Sequence, residues 1–176
     1  MAGHNKLKMT DLTALCKKIG FKDAETFIQS GNVVFSNPEN LPAAGIASKI
    51  EVAILKKFGY SVPAIIRTPR ELCEIISLNP FMDEADFNPE RLAVIFLNKK
   101  PSEEQITKVK DINYPPDKFK ISGKEIFIYC PNGFGKSKIY TGFFENKMKI
   151  IGTGRNWNTL NALLEIAEKR SQEQHA

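Results

Sequence analysis

The chain has 176 residues, 42% hydrophobic and 26% charged, with a formal net charge of +5 and a pI near 9.0. These are the proportions of an ordinary globular protein, not of a disordered or fibrous one. No apolar run reaches the roughly 20 residues of a membrane span, so no membrane partner is expected, and the mild lysine excess permits attraction to phosphates without demanding it.

Residues 9–19 place Met9, Leu12, Leu15, Cys16 and Ile19 at helical spacing, closed by Gly20. Residues 26–35 are rich in strand formers and are broken by Ser30-Gly31-Asn32, which reads as a two- or three-residue hairpin turn. A helix is predicted over 42–58, with Ile46, Ile50, Ala53, Ile54 and Phe58 on one stripe and Gly59 at its end. Residues 62–66 read as a short buried strand. A connector follows over 69–90. Its short helix opens at Pro69 and stops at Asn79-Pro80-Phe81, ahead of a polar loop with Asp83, Glu84 and Asp86.

Residues 92–97 form a strand that is apolar on both faces, so both faces should be covered. A helix over 102–110 is opened by Ser102 with Gln105 three positions on, the capping-box spacing. A second hairpin spans 119–129 and turns at Ser122-Gly123. The loop Pro131-Asn132-Gly133-Phe134-Gly135 leads into a predicted helix over 136–146, then a strand over 149–153. A last helix over 157–170 carries Trp157, Leu160, Leu163, Leu164 and Ala167 on one face.

The two Ser-Gly hairpins mark a repeat. Residues 1–68 read α-β-β-α-β, and residues 91–176 read β-α-β-β-α-β with a further helix. The second order is that of the ferredoxin-like plait. The predicted fold class is therefore α+β: duplicated ferredoxin-like plaits packed as one body, the first lacking its opening strand, plus a C-terminal helix. In the plait's strand order, 4-1-3-2, that missing strand is central, and its loss leaves backbone groups unpaired. Three outcomes are open. The flanking strands close on each other, another chain donates a strand and an oligomer forms through the unpaired edge, or the natural protein starts upstream. The last is the expectation.

Candidate chemistry sits in three polar boxes: Gly3-His4-Asn5-Lys6-Leu7-Lys8-Met9, Gln29-Ser30-Gly31-Asn32, and Gly154-Arg155-Asn156-Trp157-Asn158-Thr159. With Ser30-Gly31-Asn32-Val33-Val34-Phe35 and Gly133-Phe134-Gly135-Lys136-Ser137, and over essentially the whole chain, they resemble the Domain of Unknown Function 1697 family of bacterial proteins. That resemblance implies a duplicated ferredoxin-like architecture. It also implies an additional apolar segment of about a strand's length before the Gly-His-Asn-Lys box, which this sequence lacks. It carries over no catalytic residue.

Each box also has a structural reading. Asn156 suits a helix N-cap with Thr159 at the third helical position. Trp157 suits a core position, Gly31-Asn32 a hairpin turn, and Lys6 and Lys8 a solvated face. Arg155 beside a helix start would suit a phosphate or carboxylate. Gly133 to Ser137 lacks the first glycine of a nucleotide P-loop, Cys130 standing in its place. A simpler anion site at that predicted helix start, with Lys136 and Ser137, remains open.

The only histidines are His4 and His175, so no zinc site or triad of usual type can be assembled, and no metal or cofactor is expected. Cys16, Cys73 and Cys130 are widely spaced among apolar residues and read as buried thiols of a cytoplasmic protein. Two functional readings stand. One is binding of nucleic acid or a nucleotide, through phosphate contacts in a basic cleft built from Lys6, Lys8, Lys136, Arg155 and Trp157. The other is an enzyme or sensor holding a small anionic metabolite between the plaits with Asn5, Asn32, Arg155 and Asn158.

Overall fold

The computed structural model describes residues 7–28 and 31–173. It divides into two compact units, Met1–Ile66 with Lys169–Ala176, and Arg67–Glu168. The fold is α+β, with two antiparallel sheets and six α-helices among the described residues.

In the first unit α1 (Met9–Lys18), β1 (Lys22–Phe27), β2 (Asn32–Ser36) and α2 (Ala43–Phe58) follow one another. Helix α1 buries Leu12, Leu15 and Cys16, and α2 buries Ile46, Ile50 and Ile54. The spacings i, i+3, i+4 in α1 and i, i+4, i+8 in α2 are the stripes of amphipathic helices. They meet Phe21 and Ala24 in one core. Gly59 ends α2 in the left-handed region at φ 78°, where its N–H donates to the Leu55 carbonyl. Strands β1 and β2 pair antiparallel with Phe27 opposite Asn32. Gln29 and Ser30, within the predicted hairpin turn, lie outside the described residues. Arg170, in the segment grouped with this unit, donates to the Asp23 carbonyl and pairs with Glu25 of β1.

The second unit holds α3 (Pro69–Ser77), β3 (Leu92–Leu97), α4 (Glu103–Thr107), β4 (Lys118–Ser122), β5 (Glu125–Tyr129), α5 (Thr141–Met148) and β6 (Gly152–Asn156). Helix α6 (Trp157–Glu173) begins here. The sheet order is β4-β5-β3-β6, with every neighbouring pair antiparallel. Strand β3 is thus interior, which accounts for its unbroken apolar sequence. Its Ile95 and Leu97 join Ile126, Ile128, Phe144 and Met148 in the core under α4 and α5. Val94 and Phe96 are also buried, and alternation puts them on the opposite face. Tyr129 on that face stacks against Phe81 and Phe87. Capping boxes start both α3, with Thr68 and Glu71, and α4, with Ser102 and Gln105. The second hairpin turns in two residues, with Gly123 at φ 59°.

Several expectations need correction. Residues 62–66 form no strand. Pro63 offers no ladder donor, and among the described residues no strand lies alongside. The helix expected over 136–146 starts only at Thr141; a 3-10 turn at Phe134–Lys136 precedes it. The strand expected over 149–153 is displaced to Gly152–Asn156, because Lys149 ends α5 in the left-handed region at φ 53°. The helix expected over 102–110 stops at Thr107. Cys73 is exposed on α3, although Cys16 and Cys130 are buried.

Candidate functional site

Arg155 is a strand residue, not a loop residue before a helix. It pairs with Val94 across the sheet, and its Nη1 donates to Thr153 Oγ1 at 2.6 Å and to the Gly154 carbonyl at 2.7 Å. Burial holds its pKa below the ordinary arginine value. Gly154, next to it, faces α5: a Cβ built there would lie 2.6 Å from Thr141 Oγ1. Strand alternation therefore sends Arg155 to the face opposite the start of α5. The Gly133 to Ser137 box, which leads toward α5, and the Arg155 box do not converge on one helix start.

The residues after Arg155 are held locally. Asn156 Oδ1 accepts from the Thr159 N–H at 2.8 Å, the bond of a helix N-cap. Trp157 is buried and Asn158 is exposed in the first turn of α6. In the first unit Lys8 is exposed at the N-cap of α1. Asn32 is buried and donates from Nδ2 to the Phe27 carbonyl at 3.2 Å, which ties the hairpin together. Asn5 and Lys6 lie outside the described residues.

The Gly133 to Ser137 box is a turn. Gly133 takes φ 90°, and a Cβ there would stand 2.8 Å from Arg91 Nη1. Its N–H donates to the Cys130 carbonyl at 2.8 Å. The Ser137 hydroxyl is spent on residue 139, donating to its carbonyl and accepting from its N–H. With α5 starting only at Thr141, no helix N-terminus stands at Lys136 and Ser137, and the anion site expected at that helix start is not formed.

The same loop presents exposed aromatic and basic side chains. Phe134 is 37% exposed and Tyr140 58% exposed, with Lys136 and Lys138 exposed between them. Lys138 Nζ stands 5.3 Å from the ring centroid of Tyr114, itself 37% exposed. Tyr114 is braced edge-on by Phe143 at 6.2 Å. The signal was legible as aromatic and lysine residues interleaved with glycine between a strand and a helix. In the first unit, an open depression of about 480 Å³ is lined by Lys17, Gly20, Phe21, Lys22 and Asp23. Lys17 there complements the negative end of α1.

Among the described residues no cluster of histidine, cysteine or acidic side chains could hold a metal ion, and no helix is long and apolar enough to cross a membrane.

A family profile described as "Protein of unknown function (DUF1697)" matches residues 1–127. The chain belongs to this family. The match covers the first two polar boxes and stops before Gly133 to Ser137 and Arg155 to Thr159, so the family resemblance drawn for those two boxes lies outside it. No curated protein matches. Among solved structures the chain is similar to conserved bacterial protein SP0830 from Streptococcus pneumoniae, with a TM-score of 0.68 and 16% identity over 95% of this chain and 92% of that one. At that identity the likeness speaks to the fold.

Proposed function

We propose that this DUF1697 protein binds single-stranded nucleic acid on its second unit, through the loop 131–140 and Tyr114. The observation that carries the reading is the interleaving itself. Three rings are solvent-facing, Tyr114, Phe134 and Tyr140; Lys138 stands 5.3 Å from the Tyr114 ring centroid, and exposed Lys136 and Lys138 lie between Phe134 and Tyr140 along the chain. Exposed rings cost free energy in water and are repaid by unstacked bases, each stacked base contributing roughly 1–3 kcal/mol. The lysines meet the phosphates, and that part of the affinity falls with salt. Duplex DNA hides its base faces, so single strands are the favoured class. The net charge of +5 supports the same sign of partner.

The reading moves the phosphate contacts away from Arg155 and Trp157, which serve the sheet and the core. A small anionic metabolite has less support, because Asn32 and Arg155, two of its residues, bond to local backbone. We further take the architecture as a duplicated ferredoxin-like plait divided at 1–68, 69–90 and 91–176. The strand order of the second unit supports it, since β4-β5-β3-β6 is the plait order 2-3-1-4. Three free thiols support a reducing, cytoplasmic setting.

Photocrosslinking to an oligo(dT) of about ten nucleotides, followed by proteolytic mapping, tests the function. Crosslinks in the peptide holding Phe134 and Tyr140 are expected. Crosslinks confined to other peptides, or none at low salt, would contradict it.

A further inference from the structure

We infer that Arg91, held against the bare Cα of Gly133, is a phosphate-binding residue beside the loop 131–140. The inference rests on the nucleic-acid reading for the source of that phosphate, a phosphodiester of the bound strand, and names the residue that grips it.

The backbone of Arg91 is fixed on both sides. It closes the 3-10 turn Pro89–Arg91, where its N–H donates to the Asn88 carbonyl at 2.9 Å. Its own carbonyl accepts from the Cys130 N–H at 2.9 Å, which extends the pairing of β3 with β5 by one residue. The side chain is half-buried and reaches the turn after β5. A Cβ built at Gly133 would stand 2.8 Å from Arg91 Nη1 and 3.9 Å from its Cζ. Glycine leaves that space open, and it holds φ 90° without strain. The loop thus gives up a side chain where the guanidinium lies.

A guanidinium carries five N–H donors and no acceptor. Arg67, Arg70, Arg155 and Arg170 each donate to a protein oxygen. Arg91 is the remaining arginine of the chain. Among the described residues its side chain makes no hydrogen bond, ion pair or ring contact. A planar fork, anchored at its base and with its donors unspent, suits two oxygens of one phosphate. Phe134, the residue after Gly133, offers a 37% exposed ring. One nucleotide is thereby offered a ring and a fixed cation side by side. Lys136 and Lys138 attract the strand, and Arg91 fixes where one phosphate stops.

The test has two arms, both on the whole protein. In the first, the Arg91 Nε–Hε resonance and the Gly133 amide are followed by NMR as inorganic phosphate is added, with chloride at equal ionic strength as the control. Saturable shifts of both are expected with phosphate. No shift, or an equal response to chloride, would overturn the inference. In the second arm, oligo(dT) anisotropy is measured across a salt series for the parent and Arg91→Gln. The variant should bind about tenfold more weakly at low salt. Its log–log salt slope should be shallower by about 0.7, the share of one phosphate on a single strand. Its Tm should stay within about 2 °C of the parent's, since the side chain bonds to nothing in the protein. A larger fall would reveal a structural role and overturn the inference. Phosphate binding at Arg91 without any binding of oligo(dT) would keep the phosphate site, with a free phosphate as its source, and sink the nucleic-acid reading. Oligo(dT) binding with an unchanged slope in Arg91→Gln would keep that reading and sink this one.

Discussion

Arg67 and Glu125 form the most consequential ion pair of the second unit, and its removal offers a sharp test of the packing. Arg67 Nε donates to Glu125 Oε1 at 2.9 Å, with side chains only 7% and 11% exposed. Its Nη2 donates to the Leu97 carbonyl at 2.9 Å, and the guanidinium lies 5.5 Å from the Phe96 ring centroid. The pair thus ties the segment just ahead of α3 to the ends of β3 and β5. Arg67→Met leaves the Glu125 carboxylate buried without its cation and the Leu97 carbonyl without a donor. Breaking a buried pair from one side costs about 3–5 kcal/mol, a fall of about 6–20 °C in Tm for a chain of this size. The double variant Arg67→Met/Glu125→Leu removes both charges and should recover most of that loss, because an apolar replacement of a buried pair is close to neutral. Chemical denaturation of the parent, both single variants and the double gives the coupling directly. A cost under about 1 kcal/mol for Arg67→Met would refute the reasoning, since that is the range of a solvated surface pair.

Gly152→Ala should destabilise by about 1–3 kcal/mol through overpacking, because the new Cβ would stand 2.9 Å from Ile95 Cγ2 and 3.2 Å from Leu97 Cδ2; thermal unfolding measures it. Thiol titration near about pH 8 should find one reactive cysteine in the native protein, the exposed Cys73, and three after unfolding. Burial pushes the thiols of Cys16 and Cys130 up to about 11, so both stay protonated. Burial alone would raise the Glu71 carboxyl, but the Thr68 N–H and the Lys124 ammonium outweigh it and hold it below its ordinary value of 4.5. The folded state then binds fewer protons than the unfolded one, so this stabilisation is complete above 4.5 and is lost as the pH falls through the folded value. The Tm difference between the parent and Glu71→Gln should therefore shrink as the pH is lowered from about 6 to about 3.

The second unit was largely legible in the sequence because its signals are local and agree with one another. Leu92–Leu97 reads as an interior strand, Gly123 marks the β4–β5 hairpin, and Ser102 with Gln105 marks the start of α4. What failed depended on neighbours. Residues 62–66 have the apolar alternation of a strand, but a strand exists only with a partner, and Pro63 weakens any claim to one. The start of α5 was misplaced because Lys136 and Ser137 look like a helix opening, while the Ser137 hydroxyl instead closes a turn onto residue 139. Arg155 was read as a helix-start residue because its strand, Gly152–Asn156, holds two glycines and little strand propensity. The pairing of β6 with β3 overrides that propensity. The exposed rings of Phe134 and Tyr140 were passed over because burial, which separates a core aromatic from a surface one, is a tertiary property.

Fluorescence anisotropy of labelled oligo(dT), set against a duplex of the same length, tests the central claim most directly when run at about 50 and about 150 mM salt with the parent and with Phe134→Ala/Tyr140→Ala. The account predicts binding that prefers the single strand, weakens with salt, and falls by about tenfold or more when both rings are removed. Equal affinity for duplex, or single-strand binding indifferent to the two rings, would contradict it.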